Sequence, residues 1–158
     1  MNQKEMFLKK YSTPAYLVAL AVSPCGAKTF ARIMLAQSAL ETGWGLHTEG
    51  NNMLGVKDLT WLAGSEDFRT VEFKKDNYVS TVDAFEDFDD PTQSFLAYAL
   101  LIRESERYRT AWLYRTRPEI YFEELQKAGY ATDPRYAKKC LAVYRCIPDD
   151  WLKYVRGW

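Results

Sequence analysis

Carboxylates are the chemistry this chain has in supply, and Glu41 is the one placed to use it. It stands in Leu35-Ala36-Gln37-Ser38-Ala39-Leu40-Glu41-Thr42-Gly43-Trp44-Gly45, where an apolar helix gives way to a glycine-tryptophan turn. A carboxyl group half-sheltered by apolar surface has a raised pKa and can carry a proton near neutral pH, ready to donate. The turn can open a groove, and Trp44 can offer a flat face to a ring-shaped ligand. This setting suits a general acid acting on a glycosidic bond; the plainer reading is a solvated residue at a helix end. Gln37 lies one turn earlier on the same helical face, where it can hydrogen-bond Glu41 or line the same cleft. Glu72 is the candidate second carboxylate, a base that activates water, or else an exposed strand glutamate.

Other chemistries find little support. There is one histidine, His47, and no cysteine spacing of the kind that holds zinc, so no metal site is expected. No nucleophile motif surrounds Cys25 or His47, and no glycine-rich phosphate loop is present. Lysine plus arginine equals aspartate plus glutamate at 21 each, which leaves no net field to attract nucleic acid or an anionic membrane. No apolar stretch is long enough to span a bilayer, so membrane insertion is not expected.

The elements that must position these residues are mostly helical. A first helix is expected from Gln3 to Ser23, with a possible break at Pro14, and a second from Ala27 to Leu40 carrying Phe30, Ile33, Met34 and Leu40 at helical spacing. From Phe68 to Phe88 the period shortens to alternation: Val71 and Phe73 face one way, Glu72 and Lys74 the other. With a turn at Lys75-Asp76-Asn77, that predicts a β-hairpin. Helices resume at Asp90-Pro91, a capping residue followed by a proline suited to the first turn, with Phe95, Ala99 and Ile102 as the buried stripe. Another runs from Pro118 to Gly129, a position for a left-handed C-cap. The last runs from Arg135 to Cys146 and stops at Pro148, and Trp151 to Trp158 is an aromatic tail that packs back. At 158 residues and 47% hydrophobic content, one domain spanning 1–158 is expected, mainly α with a small β-hairpin lobe (α+β).

The three cysteines are read as reduced thiols. Cys140 and Cys146 share a helix, and six residues of helical rise put them roughly 9 Å apart, beyond disulfide reach. The N-terminus, with Lys9-Lys10 before Ala15-Tyr16-Leu17-Val18-Ala19-Leu20-Ala21-Val22, imitates a signal peptide, but a retained first helix is the favoured reading.

Three segments together carry a resemblance. Ala36-Gln37-Ser38-Ala39-Leu40-Glu41-Thr42-Gly43-Trp44-Gly45, Asn51-Asn52-Met53-Leu54-Gly55-Val56-Lys57 and Gly129-Tyr130-Ala131-Thr132-Asp133-Pro134-Arg135-Tyr136-Ala137 resemble glycoside hydrolase family 73, the bacterial endo-β-N-acetylglucosaminidases. The resemblance implies a lysozyme-like two-lobed domain with a cleft, acting as a monomer on peptidoglycan glycan strands and cutting after N-acetylglucosamine. It implies Glu41 as catalytic acid, Glu72 as second glutamate and Tyr130 as a phenol beside the acid that positions substrate or stabilises charge. Asn51 and Asn52 would shape the groove floor, contacting acetamido groups or capping backbone, and Trp44 would be structural or sugar-facing. Two routes stay open: inversion across a wide carboxylate gap, or attack by the sugar's own acetamido oxygen. Neither needs a metal or cofactor.

Without a confident export signal, the chain is expected to be made in the cytoplasm and to act in the periplasm or cell wall. That suggests a type VI secretion effector with an immunity protein that plugs the cleft, or else a phage lysin. A muramidase of the same fold and a non-catalytic peptidoglycan-binding module are the competing readings of the cleft itself.

Overall fold

The computed structural model describes residues 1–56 and 88–157. The expected hairpin and Glu72 lie outside the described residues (Phe88 apart), and among those residues the regular structure is entirely helical. Helix α1 is Gln3–Val22 and α2 is Ala27–Thr42. From residue 88 onward come α3 (Pro91–Glu104), α4 (Arg109–Leu113), α5 (Pro118–Lys127) and α6 (Tyr136–Cys146). Short 3-10 turns cover Glu49–Asn51, Glu106–Tyr108 and Trp151–Tyr154.

Helix α2 is the axis of the packing. Phe30, Ala31, Ile33, Met34, Leu35 and Ala36 have no exposed surface, so the helix is apolar nearly all round and must be covered on several sides. It packs on α1 and on α6; α1 also meets α3 and the C-terminal 3-10 turn, and α5 fills the space between α4 and α6. Phe30 stands edge-on to Trp112 and Tyr121, with centroids 5.4 and 6.2 Å away, which ties α2 to α4 and α5. Arg32 fastens α2 to the far end of α6. Its guanidinium donates to the carbonyls of Tyr144 and Ile147, pairs with Asp149 at 2.8 Å and lies 4.3 Å from the centre of the Tyr144 ring.

Helix α1 runs unbroken through Pro14, contrary to the possible break there. An interior proline removes one backbone hydrogen bond and costs about 3 kcal/mol. Against that, Phe7, Leu8, Tyr11, Ala15, Val18 and Ala19 are all buried along this helix, and a large apolar side chain contributes about 1.5–3 kcal/mol on burial. Tertiary burial on both sides of the proline therefore outweighs the local penalty. The helix start is also well formed, since Asn2 and Glu5 make a reciprocal capping box.

The start of α3 follows its sequence signal: the Asp90 carboxylate accepts from the amides of Thr92 and Gln93, and Pro91 occupies the first turn. The expected tail also packs back, as Trp151 is fully buried and stands edge-on to Tyr16 at 5.9 Å. The short α4 and the 3-10 turn before it have no clear periodicity in the sequence and were not anticipated.

Candidate active site

The last turn of α2 carries Glu41. Gly43 ends the helix in the left-handed region at φ 58°, its amide bonded to the carbonyl of Ala39. Thr42 reinforces the stop: its hydroxyl donates to the Ser38 carbonyl at 2.6 Å and accepts from the Gly45 amide at 2.9 Å. Glu41 is thereby held at the negative pole of the helix dipole, where the charge of a carboxylate is disfavoured. Its side chain is exposed rather than half-sheltered, and the neighbouring Leu40 is half-buried.

Glu41 borders a pocket of about 270 Å³, lined otherwise by Leu40, Ala131, Thr132, Asp133, Tyr136 and Lys139. Two chain segments far apart in sequence meet here, the end of α2 and the link from α5 into α6. That link is set by its glycine. Gly129 adopts φ 80°, its amide bonds the Gln126 carbonyl, and the Tyr130 amide bonds the Leu125 carbonyl, a Schellman closure. Arg107 holds the same turn from outside, donating to the carbonyls of Ala128 at 2.6 Å and Gly129 at 3.0 Å.

Tyr130 is thus delivered into an aromatic cluster, with Tyr98, Tyr108 and Tyr136 centred 5.8–5.9 Å from its ring. Its hydroxyl donates to the carbonyl of Leu54 at 2.7 Å. Burial pushes the Tyr130 phenol well above its ordinary pKa, and the charge of Glu41 adds to that; burial likewise leads for Tyr136, with Tyr130, Cys140 and Glu41 contributing. Both phenols therefore remain protonated donors throughout the physiological range. On the pocket wall the Lys139 ammonium pairs with Asp133 at 2.5 Å. The hydrogen bond from Lys139, then that from the Arg135 amide, holds the Asp133 carboxyl below the usual carboxylate range.

Several expected contacts resolve differently. Gln37 has no exposed surface and cannot line a groove; its amide nitrogen donates to the Tyr136 hydroxyl at 2.9 Å, and its amide oxygen accepts from Tyr98. A residue four positions before Glu41 shares its helical face, but α6 and α3 cover that face one turn earlier. Trp44, at φ 59°, turns back onto α1 rather than lining the pocket. Phe7 stands edge-on to its ring at 5.5 Å and the Lys4 ammonium lies 5.5 Å from its centre.

Asn51 and Asn52 satisfy backbone, the second of the two roles weighed for them. The Asn52 amide both donates to and accepts from the backbone of Val56, and Asn51 donates to the carbonyls of Phe88 and Asp89. With the Phe88 amide bonded to the Gly50 carbonyl at 2.7 Å, these bonds tie the Gly50–Asn51 turn to the segment that leads into α3. Tyr136, Asp133 and Lys139 were not singled out from sequence. The available signal was their spacing, since Tyr136 and Lys139 lie three apart at the start of a helix and so on one face.

The arrangement offers a carboxyl group at the mouth of a pocket, protonated phenols behind it and one ion pair on the wall. Among the described residues no group of His, Cys, Asp or Glu could hold a metal ion, and no helix is long and apolar enough to cross a membrane. Such a carboxyl can protonate a leaving oxygen.

Comparison with known proteins agrees with that chemistry. The chain is 36% identical over 123 residues to the peptidoglycan hydrolase FlgJ of Pseudomonas aeruginosa, a match covering 73% of this chain and 31% of the relative. It is 34% identical over 147 residues to FlgJ of Vibrio parahaemolyticus, covering 89% of this chain and 45% of the relative. The chain therefore spans less than half the length of these curated relatives. Its fold is similar to that of the glycoside hydrolase domain from Salmonella typhimurium FlgJ, at a TM-score of 0.58 and 24% identity over 92% of this chain and 88% of that one. The glucosaminidase family, described as mannosyl-glycoprotein endo-beta-N-acetylglucosaminidase, matches residues 26–147, a stretch that runs from the cap of α2 to the end of α6 and takes in Glu41, Tyr130 and the whole described pocket, so the chain belongs to that family.

Proposed function

We propose that this chain is a glycoside hydrolase that cleaves peptidoglycan glycan strands after N-acetylglucosamine, with Glu41 as the proton donor. The observation that carries the reading is the position of Glu41: the last turn of α2 within a glucosaminidase-family match, at the edge of a pocket lined by Tyr136, whose ring packs on that of Tyr130. The relatives named as peptidoglycan hydrolases support the substrate class.

In this reading Glu41 protonates the glycosidic oxygen as the bond to the anomeric carbon breaks. Tyr130 holds the link between the α5–α6 turn and the 51–56 loop through its bond to Leu54, and so maintains one side of the cleft. Glu72, in the segment whose alternating sequence predicts a hairpin, is the second carboxylate in this reading, activating water for inversion or serving a reaction in which the sugar's acetamido oxygen attacks first. The finer part of the proposal is an exported antibacterial effector acting in the periplasm or cell wall of a target cell, neutralised by an immunity protein. In that case the immunity protein would cover the pocket at its Glu41 edge, where the acid's side chain is exposed.

The test is digestion of purified peptidoglycan by wild type and Glu41→Gln, followed by borohydride reduction and mass spectrometry. Reduced N-acetylglucosamine ends released by wild type alone are expected. Reduced muramic ends would replace the bond assignment. No fragments from wild type, with both proteins binding glycan equally, would replace the hydrolase with a binding module.

A further inference from the structure

A second cavity, apart from the pocket of Glu41, lies on the other flank of α6. It measures about 340 Å³ and opens between α5 and the start of α6. Pro134, Ala137 and Leu141 give it apolar surface, and its charges are Glu119 and Glu123 on α5 and Lys138 on α6. Gln126 fixes the two walls together, its amide donating to the Pro134 carbonyl at 2.9 Å and accepting from the Ala137 amide at 2.8 Å. Both ends of that amide are spent, so the three charged groups carry the polarity left to the cavity.

Those three charges lack partners of their own. Glu124, not Glu123, pairs with Lys127 at 3.0 Å, and Lys139, not Lys138, pairs with Asp133. Among the described residues Glu119, Glu123 and Lys138 make no hydrogen bond or ion pair, and the two carboxylates act on Tyr144 and Lys127 only at longer range. Each is also poorly placed by itself. Glu119 and Glu123 are four apart on one helical face, where like charges repel. Lys138 stands in the first turn of α6, at the positive pole of that helix, where an ammonium is disfavoured. A cation between the carboxylates and an anion beside Lys138 would relieve both. The ligand that fits is zwitterionic, with a short apolar stem to lie on Pro134, Ala137 and Leu141.

Position selects its source. Tyr136 and Lys139 border the pocket of Glu41, whereas Ala137, Lys138 and Leu141 border this cavity. The two spaces therefore flank a single helix, whose width with side chains is about 10–12 Å. Three extended residues span roughly 10 Å. Peptidoglycan strands carry short peptide branches whose side chains bear carboxylates and a free amine. A branch leaving a sugar beside Glu41 would bring such an amine across α6 to the cavity.

We propose that the α5–α6 cavity is a second substrate site, taking the peptide branch of a peptidoglycan strand with its ammonium between Glu119 and Glu123 and a carboxylate at Lys138. This site rests on the hydrolase reading above, and it favours branched wall glycan over an unbranched polymer of N-acetylglucosamine.

The test locates binding without relying on turnover. The probe is the tripeptide L-alanyl-γ-D-glutamyl-L-lysine, titrated into the full chain and followed by amide chemical shifts in NMR spectra. Saturable shifts at millimolar peptide, confined to amides of 119–126 and 134–141, are expected. Exposed charge pairs are individually weak, so Glu119→Gln with Glu123→Gln should weaken the peptide about fivefold and Lys138→Met about threefold. Acetylating the lysine amine of the peptide should match the double variant. No saturable shift, shifts centred on the Glu41 pocket, or unchanged affinity after acetylation or in the double variant overturns the proposal. Equal binding of glycyl-lysyl-glycine would make the cavity a seat for a protein's lysine side chain and overturns the wall-peptide assignment. Digestion of peptidoglycan is scored separately. The double variant should raise KM for the wall and leave kcat nearly unchanged; an unchanged KM removes the cavity from the substrate's path. Tripeptide binding without digestion by wild type removes the hydrolase and leaves the peptide site, and digestion without tripeptide binding does the reverse.

Discussion

Replacing Gln37 with leucine should be among the costlier single changes available in α2, although the two side chains are similar in size. Gln37 is fully buried and bonds a phenol on α3 and a phenol on α6, 61 and 99 residues away in sequence. Each lost hydrogen bond is worth about 1 kcal/mol net. The partners then fare differently. Tyr98 keeps its contact with Tyr121, but among the described residues Tyr136 retains only the weak thiol of Cys140, and an under-satisfied buried hydroxyl adds about 1–3 kcal/mol. The leucine's apolar gain offsets part of this, so the net loss should be about 3 kcal/mol. For a domain of this size that lowers the melting temperature by roughly 6–12 °C. Urea unfolding followed by circular dichroism measures it directly. A double-mutant cycle with Tyr136→Phe supplies the mechanism: once the phenol has gone, Gln37→Leu should cost at least about 1 kcal/mol less. A loss under about 0.5 kcal/mol, or strict additivity in the cycle, would refute the reasoning, because it would mean the amide and the phenol do not depend on each other.

Three further outcomes follow from the same geometry. Gly129→Ala places a Cβ 2.7 Å from the Arg107 guanidinium at a backbone angle of φ 80°, so it should cost about 1–2 kcal/mol in thermal or urea melts and lower kcat for peptidoglycan by loosening the turn that carries Tyr130. Asp133 has a folded pKa depressed below its ordinary 3.8, so its contribution to stability is full above that value and is lost as pH falls through the lower folded one. Asp133→Asn should therefore lower stability slightly at neutral pH and remove that acid limb, so that its melts converge with those of the wild type as pH falls below 3.8. Cys140 is buried with its thiol pushed up to about 12, whereas Cys25 and Cys146 are exposed. Iodoacetamide at mildly alkaline pH should alkylate Cys25 and Cys146 in the folded protein and reach Cys140 only in denaturant, as read by intact mass and peptide mapping.

Much of the helical frame was legible because its signals are local. Asp90-Pro91 starts α3, Gly43 and Gly129 stop α2 and α5 with left-handed turns, and Pro148 follows the end of α6. Each of these acts on backbone groups within a few residues, so the sequence states both the cause and its effect. Glu41 could be placed at a helix end for the same reason. The break considered at Pro14 failed because its local penalty competes with burial supplied by distant segments, and that burial is larger.

The sequence by itself determined where the longer helices begin and end, though not the short α4, which of their faces are apolar, and that an acid stands at the closing turn of α2. Tertiary structure alone decided what surrounds that acid. It buried Gln37 between Tyr98 and Tyr136, turned Trp44 onto α1, spent the amides of Asn51 and Asn52 on backbone, and brought Tyr136, Asp133 and Lys139 to the pocket of Glu41. The physical reason is one of range: a cap or a left-handed turn is satisfied by neighbours in the chain, whereas a polar side chain in α2 takes whichever partner the packing of α3 and α6 brings within about 3 Å.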